Sequence, residues 1–275
     1  MRQPRIAAAR ETSFAISMDL NSNRILLGAL LGAAAAGGNV LGGVLVAHRR
    51  WSDRYLKYFI AVGAGFMLAT AVLEMIPESL ALASDSNGAP HMIGETPVVF
   101  LWVLAGYFLV HFFEHTLAPH FHFGEEDHHD AVAHSHASYA ALLGLGIHTF
   151  FDGVAIGAGL LVSSWLGGVI FVAILLHKLP EGFTVASLML ASGKSARAAV
   201  LSSALLGAMT LLGMAFMFVV HGTVSYALPL SAGVTLYVAA TDLVPESNKE
   251  HGVGMGALVF LGVAVMILAK LLFHF

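Results

Sequence analysis

The chain contains no cysteine. Disulfide staples and thiolate metal sites are therefore excluded, and the redox compartment cannot be read from thiol usage. Charge is scarce as well. Asp, Glu, Lys and Arg supply 11% of the 275 residues, against about 25% in a soluble domain. With a net charge of −4, nothing marks a basic face for nucleic acid. What fills the chain is apolar: 57% of residues are hydrophobic and the mean hydropathy is +0.80. This balance points to a polytopic membrane protein with little soluble domain. Histidine departs from the pattern, with fifteen residues, many of them clustered.

Residues 1–24 lack a compact apolar core followed by a small-residue cleavage site, so they do not read as a signal peptide. They are expected to form a disordered tail, with Met18 an alternative start. From there, eight stretches are apolar enough to cross a bilayer, at about 25–47, 57–81, 97–119, 138–162, 166–191, 195–219, 225–247 and 253–273. Backbone groups in lipid must be satisfied within the segment, which makes these spans helices. The expected fold is an all-α polytopic membrane protein.

Arg49, Arg50, Arg54 and Lys57 lie between spans one and two. Lys194 and Arg197 lie between five and six, and Lys249 between seven and eight. The other short connections, two–three, four–five and six–seven, have no Lys or Arg. The asymmetry places the first set in the cytoplasm and both termini outside, in a cell inner or plasma membrane. Arg2, Arg5, Arg10, Arg24 and Lys270 run against this orientation and are outweighed by the loops.

A repeat is visible. "GAGFMLATAVLEMIPES" (63–79) matches "SAGVTLYVAATDLVPES" (231–247) at seven of seventeen positions, aligning Glu74 with Asp242. The two copies lie on spans of opposite direction, the pattern of an inverted repeat with a site near the bilayer midplane. The simplest arrangement is 3+2+3, with spans four and five between two related three-helix bundles.

Spans four and five carry "HTFFDG" (148–153) and "HKLPEG" (177–182). Positions i and i+4 share a helix face, so His148 pairs with Asp152 and His177 with Glu181. Two facing helices bring two imidazoles and two carboxylates together, a ligand set suited to Zn(II) or another first-row dication. Gly153 and Gly182 permit close helix approach. Pro180 frees the carbonyl of Leu176, which predicts a kink and a further oxygen near the site. Ionisable groups inside a membrane mark function by default, and two matching pairs on adjacent spans mark it more strongly than one.

These two motifs resemble the signature pair of the ZIP (Zrt/Irt-like) family of divalent-metal transporters. The "GFMLATAVLEMIPES" and "LYVAATDLVPE" segments, the eight spans and the His-rich stretch between spans three and four extend the resemblance over about residues 25–275. It implies that this region is a transporter domain importing Zn(II), or a related ion such as Fe(II), Mn(II) or Cd(II), into the cytoplasm through His148, Asp152, His177 and Glu181. Family members with a second, bridged metal use residues that here are Thr149 and Lys178. Span six offers no acid either. Lys178 is expected to act as a tethered cation in place of a second metal.

Further polar residues line a candidate route: Glu74 and Glu78 at the outer mouth, Asp242 and Glu246 at the inner one, and His111 and His115 at the inner end of span three. Pro77 and Pro245 precede the mouth acids as helix-end prolines do. A cytoplasmic loop at 120–137 holds His120, His122, His128, His129, His134 and His136 among acids, a composition for loose chelation. Methionines such as Met67 and Met214 read as packing residues, and Tyr237 and Trp102 receive no role. The expected partners are divalent metal ions and the bilayer, with a homodimer as the candidate assembly. No cofactor is expected, because the metal is cargo. The competing reading is an intramembrane metal-dependent hydrolase, since His and carboxylate also activate water. The sequence has no H-E-x-x-H and no separate general base, so an enzyme is not expected.

Overall fold

The computed structural model describes residues 22–48, 53–84, 91–117, 134–248 and 253–273. Among them, eight helical spans are long and apolar enough to cross a membrane. Span one is α1 (Ser22–Ala47). Span two is α2 (Asp53–Thr70), which runs through a π-helical segment (Ala71–Met75) into α3 (Ile76–Leu82). A small antiparallel hairpin, β1 (Met92–Ile93) with β2 (Thr96–Pro97), leads into span three, α4 (Val98–Leu117). Spans four, five and six are α5 (His134–Val162), α6 (Ser164–Ala191) and α7 (Ala196–Val219). Span seven is α8 (Val224–Tyr237), a second π-helical segment (Val238–Leu243) and α9 (Val244–Asn248). Span eight is α10 (Val253–Phe273).

The largest departures from the expected bounds are at the starts of α2 and α5, which begin at Asp53 and His134. Their first turns are polar, and a hydropathy window ends where the apolar run ends, not where the backbone ladder does. The stretch expected as loop through 137 therefore gives up its last residues to α5.

Local chemistry fixes the key hairpin. Ser163 alone separates α5 from α6, so the two helices run antiparallel. Its hydroxyl accepts from Leu166 N at 3.1 Å, capping the first turn of α6. Ser195 caps α7 in the same way, accepting from Ala198 N at 3.2 Å. Pro180 lies inside α6, which continues past it to Ala191. The Leu176 carbonyl that Pro180 leaves without its usual donor lies beside Gly63 of α2.

The helices pack in two groups. α5 and α6 pack against each other and against α1 and α7. α2 packs on α10, and α4 packs on α8. The groups meet mainly where α2 crosses α6 and α5 crosses α8. The consecutive triplets one–three and six–eight are thus each shared between the two packing groups. Lipid tails are as apolar as the helix surfaces, so close backbone approach through small residues drives much of this packing. A Cβ on Gly182 would strike the carbonyl of Asn39, and one on Gly153 would strike that of Thr210. These contacts seat α6 on α1 and α5 on α7 at the level of the two motifs. α10, by contrast, presents Phe260, Leu268, Leu271 and Leu272 outward, as a lipid-facing helix should.

Candidate metal centre

The α5–α6 hairpin puts both His–carboxylate pairs at one level. Along α5, His148 Nε2 is 3.2 Å from Asp152 Oδ2. Across the hairpin, His177 Nε2 is also 3.2 Å from Asp152 Oδ2. One donor atom from each of His148, Asp152, His177 and Glu181 lies within 4.8 Å of all the others. All four residues are buried.

The hydrogen-bond pattern leaves donor atoms over. His177 Nδ1 is 3.2 Å from the Ala173 carbonyl. A carbonyl only accepts, so a proton on Nδ1 satisfies it, and that tautomer would free the Nε2 lone pair for an ion in place of the 3.2 Å contact with Asp152 Oδ2. Among the described residues, both ring nitrogens of His148 and Oδ1 of Asp152 are buried without a hydrogen-bond partner. Buried polar atoms are normally satisfied, and leaving several orphaned at one point costs stability. Imidazole nitrogens and carboxylate oxygens converging in this way fit a first-row dication such as Zn(II).

Lys178 and Thr149 complete the centre. Lys178 is fully buried, and its ammonium donates to Asp152 Oδ2 at 2.6 Å and to Glu181 Oε2. Thr149 Oγ1 donates to Glu181 Oε1 and stands 3.4 Å from Lys178 Nζ. The backbone behind Glu181 is held as well, because Ser203 Oγ of α7 donates to the Gly182 carbonyl at 2.9 Å. Two carboxylates and one ammonium leave the centre one negative charge before any ion binds. In a low dielectric, one dication is compatible with that charge and two are strongly opposed.

The remaining candidates separate. Glu74 is buried in the first π-helical segment, with Lys270 Nζ 2.9 Å from its Oε1. Glu78 is half-buried in α3. At the opposite end, Asp242 accepts from Thr241 Oγ1 at 3.2 Å. The His111 and His115 rings stack with centroids 4.0 Å apart, and His115 Nδ1 is 3.0 Å from the His111 carbonyl. The side chain of Glu246 lies outside the described residues, as do His120, His122, His128 and His129. His134 and His136 fall in the first turn of α5, with side chains outside the described set.

Two residues at this end escape a reading by sequence. Tyr237 Oη donates to Glu114 Oε2 at 2.8 Å, and the Tyr237 ring packs edge-on near His111. The signal for Glu114 was its place between two histidines at the end of an apolar helix. Tyr237 gave none, because a tyrosine near a helix end is ordinary. Asn39, wholly buried in α1 with no partner for its amide among the described residues, was also unmarked.

The ZIP Zinc transporter family model matches residues 24–141 and 122–270. Zinc transporter ZIP9-B of Xenopus laevis is 26% identical, over 88% of this chain and 94% of its own length. Zinc transporter ZIP13 of Pongo abelii is 28% identical, over 79% of this chain and 67% of its own. Human Zinc transporter ZIP6 is 33% identical, over 54% of this chain; the match covers only 21% of that longer protein. Taken with the eight spans and the buried His–carboxylate centre, the match places this chain in the ZIP zinc transporter family.

Proposed function

We propose that this protein carries Zn(II), or a closely related divalent cation such as Fe(II), Mn(II) or Cd(II), across a membrane into the cytoplasm. His148, Asp152, His177 and Glu181 hold the ion in transit. The observation that carries the reading is the convergence of four buried donor residues within 4.8 Å, with imidazole and carboxylate atoms left unpartnered. The relatives named zinc transporters support zinc as the cargo. Transport, not hydrolysis, is the chemistry of this family, and the two pairs are spent on holding the ion.

Two features support the inward direction and the repeat. Arg24 and Lys270, which run against the charge rule, are engaged inside the protein. Arg24 donates to the Leu161 carbonyl at 2.7 Å, and Lys270 to the Leu73 carbonyl at 2.7 Å. Neither acts as a loop charge, so the loop asymmetry stands more cleanly. The two π-helical segments fall at matching places in the repeat, around Glu74 and Asp242. That match supports an inverted 3+2+3 order in the chain, with Glu74 and Glu78 toward the outer mouth. Asp242, Glu246, His111 and His115 lie toward the inner mouth.

The test is metal uptake by proteoliposomes, with Zn, Fe, Mn, Cd and Co in competition. Saturable entry of Zn(II) that fails when Asp152 or Glu181 is replaced supports the reading. Uptake that is unaffected by both replacements removes it.

A further inference from the structure

The repeat extends beyond the two π-helical segments to the helices that pack on them. One constant shift in numbering carries Val62, Gly65 and Glu74 of span two onto Leu230, Gly233 and Asp242 of span seven. A second shift carries Val103, Gly106 and Glu114 of α4 onto Val259, Gly262 and Lys270 of α10. The contacts obey both shifts. A Cβ on Gly65 would strike the Val259 carbonyl of α10, and one on Gly262 would strike the Val62 carbonyl of α2. Their counterparts, Gly233 and Gly106, meet the carbonyls of Val103 and Leu230 in the same way. The α2–α10 and α8–α4 crossings are therefore one crossing built twice.

The two copies differ in charge. In the first, Lys270 Nζ lies 2.9 Å from Glu74 Oε1 and donates to the Leu73 carbonyl at 2.7 Å. It thus holds a buried carboxylate and a backbone acceptor of the π-helical segment together. In the second copy, Asp242 stands in the place of Glu74, and Glu114 stands in the place of Lys270. Where one crossing sets an acid against a cation, the other sets an acid against an acid.

We propose that Lys270 is a built-in counter-ion that keeps Glu74 from acting as a metal ligand, so that this end of the route holds no ion of its own. Its ammonium takes the position a mobile cation would need, so a backbone that is symmetric in shape is polar in its affinity for cations. Lys270 acts through Glu74 and is a positioning residue. A dication approaching Glu74 meets a like charge at contact distance and only one carboxylate, too few hard ligands to replace its hydration shell. The inference rests on the crossing geometry and goes beyond the transport reading: it holds whether or not the central site carries the ion.

The test counts Zn(II) bound per purified full-length chain. The His-rich stretch contributes equally to every variant, so differences report on the crossing. Lys270→Glu is expected to gain one ion relative to the unaltered chain, and Lys270→Glu with Glu74→Ala to lose it again. The charge swap, Glu74→Lys with Lys270→Glu, is expected to return the count to that of the unaltered chain, as is Lys270→Arg alone. If Lys270→Glu does not fold, Lys270→Gln serves instead. There Zn(II) should raise the melting temperature more than in the unaltered chain, and adding Glu74→Gln should cancel the excess. An unchanged count in folded Lys270→Glu, or an unchanged Zn(II) shift in Lys270→Gln, overturns the proposal. So does a count that falls by one when Glu74→Ala is made in the otherwise unaltered chain, because Glu74 would then bind metal with Lys270 in place.

Discussion

Lys178 Nζ stands 2.6 Å from Asp152 Oδ2, and neither side chain has any exposure to solvent. The same oxygen is 3.2 Å from both His148 Nε2 and His177 Nε2. A fixed cation therefore shares its acceptor with the two imidazoles that converge on the metal position. An ion bound at the proposed centre would compete with Lys178 for Asp152 Oδ2.

Removing Lys178 leaves Asp152 and Glu181 buried without their ammonium. Lys178→Met is expected to destabilise the metal-free protein by about 3–5 kcal/mol, the cost of breaking a buried pair. Added Zn(II) should restore more of that loss than it adds to the unaltered protein. Thermal melts with and without Zn(II) measure both; equal Zn(II) shifts in the two proteins would contradict the role.

The same geometry sets the stoichiometry. With residues 120–132 deleted, the centre should hold one ion. Lys178→Asp with Thr149→Asn, which trades the tethered cation for oxygen ligands, should raise occupancy towards two. Elemental analysis of the purified proteins reads this directly, and two central ions with Lys178 present would refute it.

Asp152→Ala and Glu181→Ala should each abolish saturable uptake while the protein still inserts. The expected loss is complete, because each carboxylate supplies both charge and a ligand that no neighbour replaces. Full transport by either variant would remove that residue from the ligand set.

The deletion of 120–132 should leave uptake through the membrane largely intact and lower the total metal bound. It is cut short of His134 because α5 begins there, and shortening a helix that carries His148 and Asp152 would confound the result. Loss of uptake in a folded deletion would assign the stretch to the translocation machinery.

Gly182→Ala should cost about 1–3 kcal/mol, the usual cost of overpacking, because its Cβ meets the rigid Asn39 carbonyl. Gly168→Ala, in the same helix with nothing within 4 Å of its Cβ, should be neutral or stabilising by up to about 1 kcal/mol. Melting temperatures of the two variants test whether the α1–α6 approach is as tight as described.

Much of this was legible in the sequence. Span length and composition respond to the bilayer itself, so the eight helices follow from apolar runs. The two His–carboxylate pairs follow from helical spacing, which fixes a shared face without any tertiary knowledge. The position of Lys178 was only half legible. Its neighbour His177 placed it near the centre, but spacing alone put it about 100° away around the helix. A four-carbon stem is long enough to cross that angle, and side-chain reach is invisible to a periodicity argument. Lys270 read as a stray charge because its partner Glu74 lies on a distant span. Tyr237 and Glu114 were hidden for the same reason: their contact joins α4 to α8, far apart in the chain.

The single-residue connection at Ser163 has a consequence for synthesis. His148, Asp152, His177 and Glu181 all belong to one hairpin, and contacts between near neighbours in sequence form with the least loss of chain entropy. During elongation, the four candidate ligand residues can meet once α6 has emerged, while α7 to α10 are still to be made. The α2–α10 crossing must wait for nearly the last residue. The nascent chain thus brings its proposed ion-binding residues together before it owns the scaffold against which they will work.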